Sequence, residues 1–539
     1  MLTTLTVTST NSTTLFIAIP MLVCFFALMI GVGFACRKHA NSVDGFVLGG
    51  RSVGPWLTSF AFGTSYFSAV IFVGYAGQFG WNFGLASTWI GLGNAFVGSL
   101  LAWTVLGRRT RVMTQHLGSK TMPDFFEKRY DSKKLKVIAS FIVFVFLIPY
   151  TASLYNGLSS LFNNVFAVDY WVVVVIMAVL TGVYVIFGGY MATAVNDFIQ
   201  GIIMLVGIIA VIASVLTKNG GFNAAVEALG VKAGTEYTSM FGPNPIFLFF
   251  VVVLTSLGTW GLPQMVGKFY SIKDEGAIKK GTIISTVFAV IVAGGCYFLG
   301  GFGRLYEEQM ISAGHFNKET SAILFDKVIP TMLSQLSPFI VSIIIVLVLA
   351  ASMSTLSSLV LTSSSTLTLD VIKPMVSKEG EMSEKKSVFV MRLFIVFFIA
   401  ISAIIAILKD SIWAESVFIA QMMGVSWGAL AGAFLAPFMY GLYCKKTTKA
   451  AVVASFIFGT GLELIQLCIS VGWLSVKGIP VISFVFTNSL YSGVFAMLGG
   501  LVLVPIVSLL TPKTLPANIE QKFSCYDEQV VTNKKDSLG

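Results

Sequence analysis

From Pro338 to Leu369 the chain carries no charged residue, and its opening stretch, FIVSIIIVLVL (339–349), is almost purely aliphatic. Roughly 20 apolar residues suffice to cross a bilayer, so this stretch has to be a membrane helix, and whatever fold the chain adopts must be built around it. Its second half, AASMSTLSSLVLTSSSTLT (350–368), sets serines and threonines into that apolar background. Hydroxyls are thereby carried to a depth where water is scarce. Helical spacing places Ala351, Ser354, Thr355 and Ser358 on one face with Ser357 beside them, so several neutral oxygens converge. Two uses fit such a group. Each hydroxyl can bond back to a carbonyl one turn earlier or pack between helices, or the set can cradle a small hard cation with oxygens from another segment.

The rest of the chain has the same solvent. With 56% hydrophobic and only 11% charged residues, and 46 phenylalanines in 539 residues, it is a polytopic membrane protein. Apolar segments fall at 15–35, 56–79, 86–106, 137–162, 170–187, 194–216, 245–266, 282–302, 338–365, 388–408, 417–440, 451–471 and 490–510. Thirteen crossings put the termini on opposite sides. Loops after segments one, three, seven, nine and eleven, with the C-terminal tail, hold 27 of the 35 Lys and Arg residues, so the N-terminus is expected outside and the tail inside a plasma membrane. The net charge of +10 follows from that asymmetry and from anionic lipid, and does not call for nucleic acid as a partner. The first segment reads as a true span, because an uncharged Thr/Ser-rich stretch precedes it. Six cysteines without paired spacing and three scattered histidines support neither disulfides nor a metal-dependent enzyme. No enzymatic activity is expected, and no organic cofactor.

Two segments are interrupted. Segment two reads FAFGTSYFSAVIFVGYAGQFG, where Gly63, Gly74 and Gly77 lower helix propensity among Thr64, Ser65, Tyr66 and Ser68. Segment seven reads TSLGTWGLP (255–263), with Gly258, Gly261 and Pro263. Broken helices at matching positions in two halves point to an inverted-repeat transporter, in which unwound backbone near the midplane forms the binding site. Segments two to six and seven to eleven then form two oppositely oriented repeats, dividing the chain as 1–54, 55–216, 217–443, 444–510 and a cytoplasmic tail 511–539. Asp197 is the only acid within the ten segments assigned to the repeats, and it reads either as a partnered functional carboxylate or as a helix-start carboxylate favoured by the dipole. A short amphipathic surface helix is expected at Met122–Tyr130, a charged loop around Glu381, and close packing from the small residues of 422–437. Glu463 in segment twelve is expected to face a neighbouring helix or to be protonated, and the polar tail after Pro512 to be poorly ordered.

GGRSVGP before segment two, Gly188-Gly189 followed by Asn196-Asp197 and Gln200, the Pro263 to Phe269 segment, AASMSTLSS in segment nine and MMGVSWGALAGAFLAP in segment eleven together resemble the sodium:solute symporter family, from about Gly49 to Thr448. The resemblance implies an all-α five-plus-five inverted-repeat fold, often with thirteen helices, and sodium as coupling ion. By position, the family's common sodium site corresponds to the carbonyls of Thr64, Phe67 and Ala351 and the hydroxyls of Ser354 and Thr355. Some members hold a second sodium, whose ligands correspond to Asp197, Ser354, Ser357 and Ser358. Proline carriers have an Asp at the position of Tyr66 and aromatic groups at those of Thr255 and Thr259, while sugar carriers use polar residues near Ile71 and Ile90. Tyr66 in its T-x-Y-x-S context is nearer to the pantothenate carriers.

The expected function is sodium-coupled symport of a small organic solute, such as an amino acid, a carboxylate or a vitamin-like molecule, by alternating access within the lipid bilayer. Solute contacts are expected at the breaks, from Tyr66, Ser68, Gly74, Thr255, Thr259, Trp260 and Pro263. The rival reading is a membrane solute sensor that keeps the carrier fold without net transport; no long soluble domain follows Thr511 to carry a signal.

Overall fold

The computed structural model describes residues 12–166, 168–316, 323–376, 382–412, 419–475 and 480–527, so the expected loop around Glu381 lies outside the described residues. Among the described residues ten helices are long and apolar enough to cross a membrane, and the pair Pro245–Gly261 and Pro263–Ser271, bent by 49°, makes an eleventh. The thirteen apolar segments map onto these elements with two mergers. Segments five and six run as one helix, Tyr170–Lys218, whose 49 residues would reach ~73 Å if straight, over twice a bilayer core. The helix turns at Gly189 (φ 54°, ψ −146°). A Cβ at Gly189 would stand 2.9 Å from the Phe46 ring and 3.0 Å from the Phe46 carbonyl oxygen, so glycine alone accepts both the positive φ and the neighbour. The second half of segment two runs into segment three across Gly84 (φ 60°), within the stretch Val70–His116.

Both interruptions foreseen from the sequence are present. The helix Pro55–Tyr66 ends on a Phe67 N–H to Gly63 carbonyl bond, Phe67 leaves helical geometry (φ −100°, ψ 86°), and the chain restarts with Ile71 and Phe72 donating to the Ser68 carbonyl. The helix Pro245–Leu257 tightens through Gly258–Gly261, turns extended at Leu262 (ψ 121°), as a residue before proline prefers, and resumes at Pro263.

The serine-rich helix is the hub. Within Pro338–Val376, 83% of the most apolar window is buried inside the protein, against 22% for the N-terminal helix. It packs on Ser12–Ala35, Pro55–Tyr66, Lys133–Phe166 and Tyr170–Lys218. The small residues of 422–437 give the expected close approach, since a Cβ on Gly459 would meet the Gly432 carbonyl carbon at 2.3 Å.

Three expectations are corrected. The serine-rich helix continues past residue 365 through a wide turn, Leu367–Ile372, to Val376, so Asp370 is a second buried acid on a repeat helix; Thr121 donates to it at 2.6 Å and Lys136 stands 3.6 Å away. Met122–Tyr130 forms its helix, capped by the Thr121 hydroxyl, but it is inserted rather than laid on the surface. Phe125 and Phe126 pack on Phe438, and the buried Arg129 caps the end of the helix Ile419–Tyr443 by donating to the carbonyls of Gly441 (2.8 Å) and Cys444 (2.9 Å). The tail folds back as a helix, Ile519–Asp527: Phe523 is buried, Lys522 pairs with Asp131 at 2.6 Å, and Tyr526 bonds the Arg109 carbonyl. Apolar residues at 519, 523 and 526 fall on one helical face, which the polar average of the tail conceals.

Candidate ion and solute sites

Where the first break ends helix Pro55–Tyr66, the Thr64 carbonyl is met by two side chains of the serine-rich helix. Ser354 Oγ and Thr355 Oγ1 each lie 3.1 Å from that carbonyl, and 3.1 and 3.2 Å from the Ala351 carbonyl. Four of the five expected sodium ligands are thus one group of oxygens, all buried. The fifth, Phe67, sits at the break and shares with Ala351 the wall of a small cavity that Ser68 also lines. Two carbonyls and two hydroxyls, without nitrogen or sulfur, suit a hard cation, whose arrival requires only that the hydroxyl protons rotate away. No group of three or more His, Cys, Asp and Glu residues suited to a metal ion is present among the described residues.

Across the break, Tyr66 donates to the Thr255 carbonyl, joining the two interrupted helices directly. Thr259 donates to the carbonyls of Ser256 (2.9 Å) and Gly98 (3.4 Å), and the Trp260 indole to that of Val97 (3.1 Å). Tyr66, Thr255, Thr259 and Trp260 therefore meet around Asn94–Gly98, where a Cβ on Gly98 would collide with the Tyr66 hydroxyl at 2.2 Å. The Tyr150 hydroxyl lies beside Ser68 on one side and the Trp427 indole on the other, and none of these three polar atoms makes a well-formed hydrogen bond among the described residues. Tyr150 and Trp427 pack edge to face at 6.0 Å, with Tyr66 at 6.1 Å from Trp427. The Tyr297 hydroxyl and the Asn94 amide nitrogen face each other nearby, again without a well-formed hydrogen bond among the described residues. Buried polar atoms left without partners are costly, and a bound solute relieves them. Of the remaining expected contacts, Gly74 is buried within Val70–Tyr75, and Pro263 lines a different cleft.

That cleft is bordered by Tyr190, Pro263, Gln264, Lys268, Ser358 and Thr362 and extends to Lys120 and Thr121. Lys268, on its wall, reaches Asp197. The carboxylate is fully buried, and its Oδ2 stands 3.5 Å from the Lys268 ammonium, which donates to Ser358 Oγ at 2.9 Å and lies 5.3 Å from the centre of the Tyr190 ring. Ser358 shares a 2.7 Å hydrogen bond with Ser65. Ser357 bonds back to the Ser354 carbonyl at 2.8 Å. Lys268, Tyr150, Trp427, Asn94 and Tyr297 escaped the sequence reading. Lys268 alone left a signal there: a lone cation five residues after Pro263, flanked by Met265, Val266, Phe269 and Tyr270.

The family model described as "Sodium:solute symporter family" matches residues 46–459. Curated relatives include sodium/proline symporters of Staphylococcus aureus, 28% identical over 508 residues and covering 92% of both chains. Among solved structures, a Na+-coupled sialic acid symporter in a substrate-bound outward-open state aligns with a TM-score of 0.74 at 18% identity, over 92% of this chain and 97% of that one. A nucleobase-cation-symport-1 family transporter in a closed conformation with bromovinylhydantoin bound aligns with a TM-score of 0.50 at 14% identity, over 90% and 99%. These likenesses bear on the fold, which is related to the five-plus-five inverted-repeat transporters. The family match takes in both broken helices, the Asp197 helix and the serine-rich helix, and the chain is a multi-pass membrane protein that belongs to the sodium:solute symporter family, with sodium as its coupling ion.

Proposed function

We propose that the protein imports a small organic solute with sodium by alternating access, sodium binding at Thr64, Phe67, Ala351, Ser354 and Thr355 and the solute beside it at Tyr66, Ser68, Thr255, Thr259 and Trp260. The observation that carries this reading is the Thr64 carbonyl, released by the helix break and met by the two hydroxyls that also meet Ala351. A sodium ion there ties the first broken helix to the serine-rich helix, and its departure loosens both. One charge crossing ~100 mV supplies roughly 2.3 kcal/mol, about 50-fold accumulation.

The side chains that meet Tyr66 are neutral, so in this reading the sodium ion beside the solute supplies a positive charge to it. That favours a solute bearing a carboxylate. Proline, the solute named for the relatives, is the first to test, although Tyr66 stands where the proline carriers have an acid. In this reading 55–216 and 217–443 are the two repeats, preceded by 1–54 and followed by 444–510 and the tail 511–539. Gly84 and Gly189 are turns between spans, the spans number thirteen, the N-terminus is outside, and the cleft at Lys268 faces the cytoplasm.

The test is uptake of isotope-labelled amino acids, carboxylates and vitamins into proteoliposomes with an inward sodium gradient. Accumulation that collapses when the gradient is dissipated is expected. Saturable binding without accumulation is what a sensor would give, and it refutes the proposal.

A further inference from the structure

The four side chains expected to hold a second sodium do not form one vacancy. Ser354 turns its hydroxyl to the Thr64 and Ala351 carbonyls, and Ser357 turns its own to the Ser354 carbonyl. Asp197 and Ser358 remain, and the ammonium of Lys268 reaches both, at 3.5 and 2.9 Å. The two Asp197 oxygens accept no hydrogen bond of good geometry among the described residues, so Lys268 supplies the charge that stands opposite this carboxylate. Lys268 is itself 3% exposed, with its ammonium over the Tyr190 ring face, a further contact suited to a cation. One carboxylate balances one positive charge. A sodium ion entering here would sit against the ammonium in a buried setting, where like charges repel far more than in water.

We propose that Lys268 is the built-in cation of the second site: its ammonium stands where a second sodium would sit between Asp197 and Ser358, and the protein consequently binds a single sodium ion. The inference rests on the sodium site proposed above, whose loss has a separate signature. Lys268 also ties the second half of the second broken helix to the serine-rich helix through Ser358, and through the Ser358 to Ser65 hydrogen bond to the first broken helix. A fixed ammonium thereby does, without leaving, the bridging that a mobile ion would do.

The test counts bound 22Na+ on the full-length protein in detergent, by scintillation proximity, over a range of sodium concentrations. The wild type should bind one sodium per chain along a hyperbolic curve. Ser354→Ala should weaken that one ion at least tenfold; binding unaffected by Ser354→Ala overturns the sodium site proposed above rather than the role of Lys268. Lys268→Ala should admit a second sodium, with two ions per chain, and adding Asp197→Asn should return the count to one. Lys268→Arg, which keeps the charge, should stay at one. Two ions on the wild type, or one ion on a folded Lys268→Ala protein, overturns the proposal. Where Lys268→Ala does not fold, the wild-type and Lys268→Arg counts decide: one on both upholds it, two on either overturns it.

Discussion

Replacing Thr355 by alanine removes one of the two hydroxyls that face the Thr64 and Ala351 carbonyls, at 3.1 and 3.2 Å, and leaves the backbone of the site intact. With sodium bound, that hydroxyl is one of about five oxygens replacing the ion's water. Contacts between a polar group and a charge are worth about 1.5–3 kcal/mol, so losing one should raise the sodium concentration for half-maximal uptake about 10- to 150-fold. Thr64 is the internal control. Its carbonyl faces the site while its hydroxyl bonds back to Phe60 at 2.9 Å, so Thr64→Ser keeps the ligand and removes only a methyl near Gly201. That change should shift the requirement less than about fivefold. Thr355→Ser keeps an oxygen and should stay near the wild type. The assay is initial uptake rate against external sodium in proteoliposomes, with binding of 22Na+ as a check that transport and affinity move together. Equal effects from Thr64→Ser and Thr355→Ala, or a small effect from both Thr355→Ala and Ser354→Ala, would refute the ligand assignment.

Single cysteines at Tyr66, Ser68, Thr255, Thr259 and Trp260 in a cysteine-free background should be shielded by solute from thiol reagents; protection clustered in 449–470 or 489–510 would move the solute site elsewhere. Arg129→Ala removes the cap on Gly441 and Cys444 and the face-on contact with Phe523, and should lower stability by about 2–4 kcal/mol, read as earlier thermal aggregation in detergent. Burial alone would push the Asp124 carboxyl up, but Lys136 and then Lys128 outweigh it and hold it below the usual range. A depressed carboxyl stabilises the fold above its unfolded value, about pH 3.9, and that contribution fades as pH falls through the lower folded value, so thermal stability should fall below about pH 4 and Asp124→Asn should flatten that part of the profile.

The breaks were legible because they are local. Glycine, threonine and proline inside an apolar run lower helix propensity wherever the run is placed, and the oxygen-bearing face of 350–358 follows from helical geometry alone. Lys268 was not legible for the converse reason. Hydropathy ends segment seven at Val266, which assigns the next lysine to a cytoplasmic loop; what holds it inside is the continuation of helix Pro263–Ser271 beyond that point and the meeting of Lys268 with Asp197, Tyr190 and Ser358 from helices distant in sequence. Asp370 was missed in the same way, since a helix end judged at residue 365 could not know that Lys136 and Thr121 would let it continue. Tyr150 and Trp427 belong to helices far apart in sequence, and their meeting beside Ser68 is a property of the assembled bundle.

The serine-rich helix explains why these separately buried features act together. Ser354 and Thr355 bind the first broken helix at Thr64, while Ser358, one turn further along the same face, is held by Lys268 of the second broken helix and by Ser65 of the first. A turn of helix is stiff and only ~5.4 Å long, so a displacement at one of these contacts is felt at the other. Tyr66 closes the circuit by bonding the Thr255 carbonyl, which ties the two breaks to each other beside the neighbouring hydroxyls of Ser68 and Tyr150. With sodium and solute at the proposed sites, Thr64 and Tyr66, the two ligands bias the same three elements, which is what coupling requires: each binds more tightly to the arrangement that the other stabilises. On the one-ion proposal, the Asp197–Lys268 pair adds no mobile charge to that exchange. It fixes the second broken helix to the hub, leaving the gradient of a single ion to drive the movement.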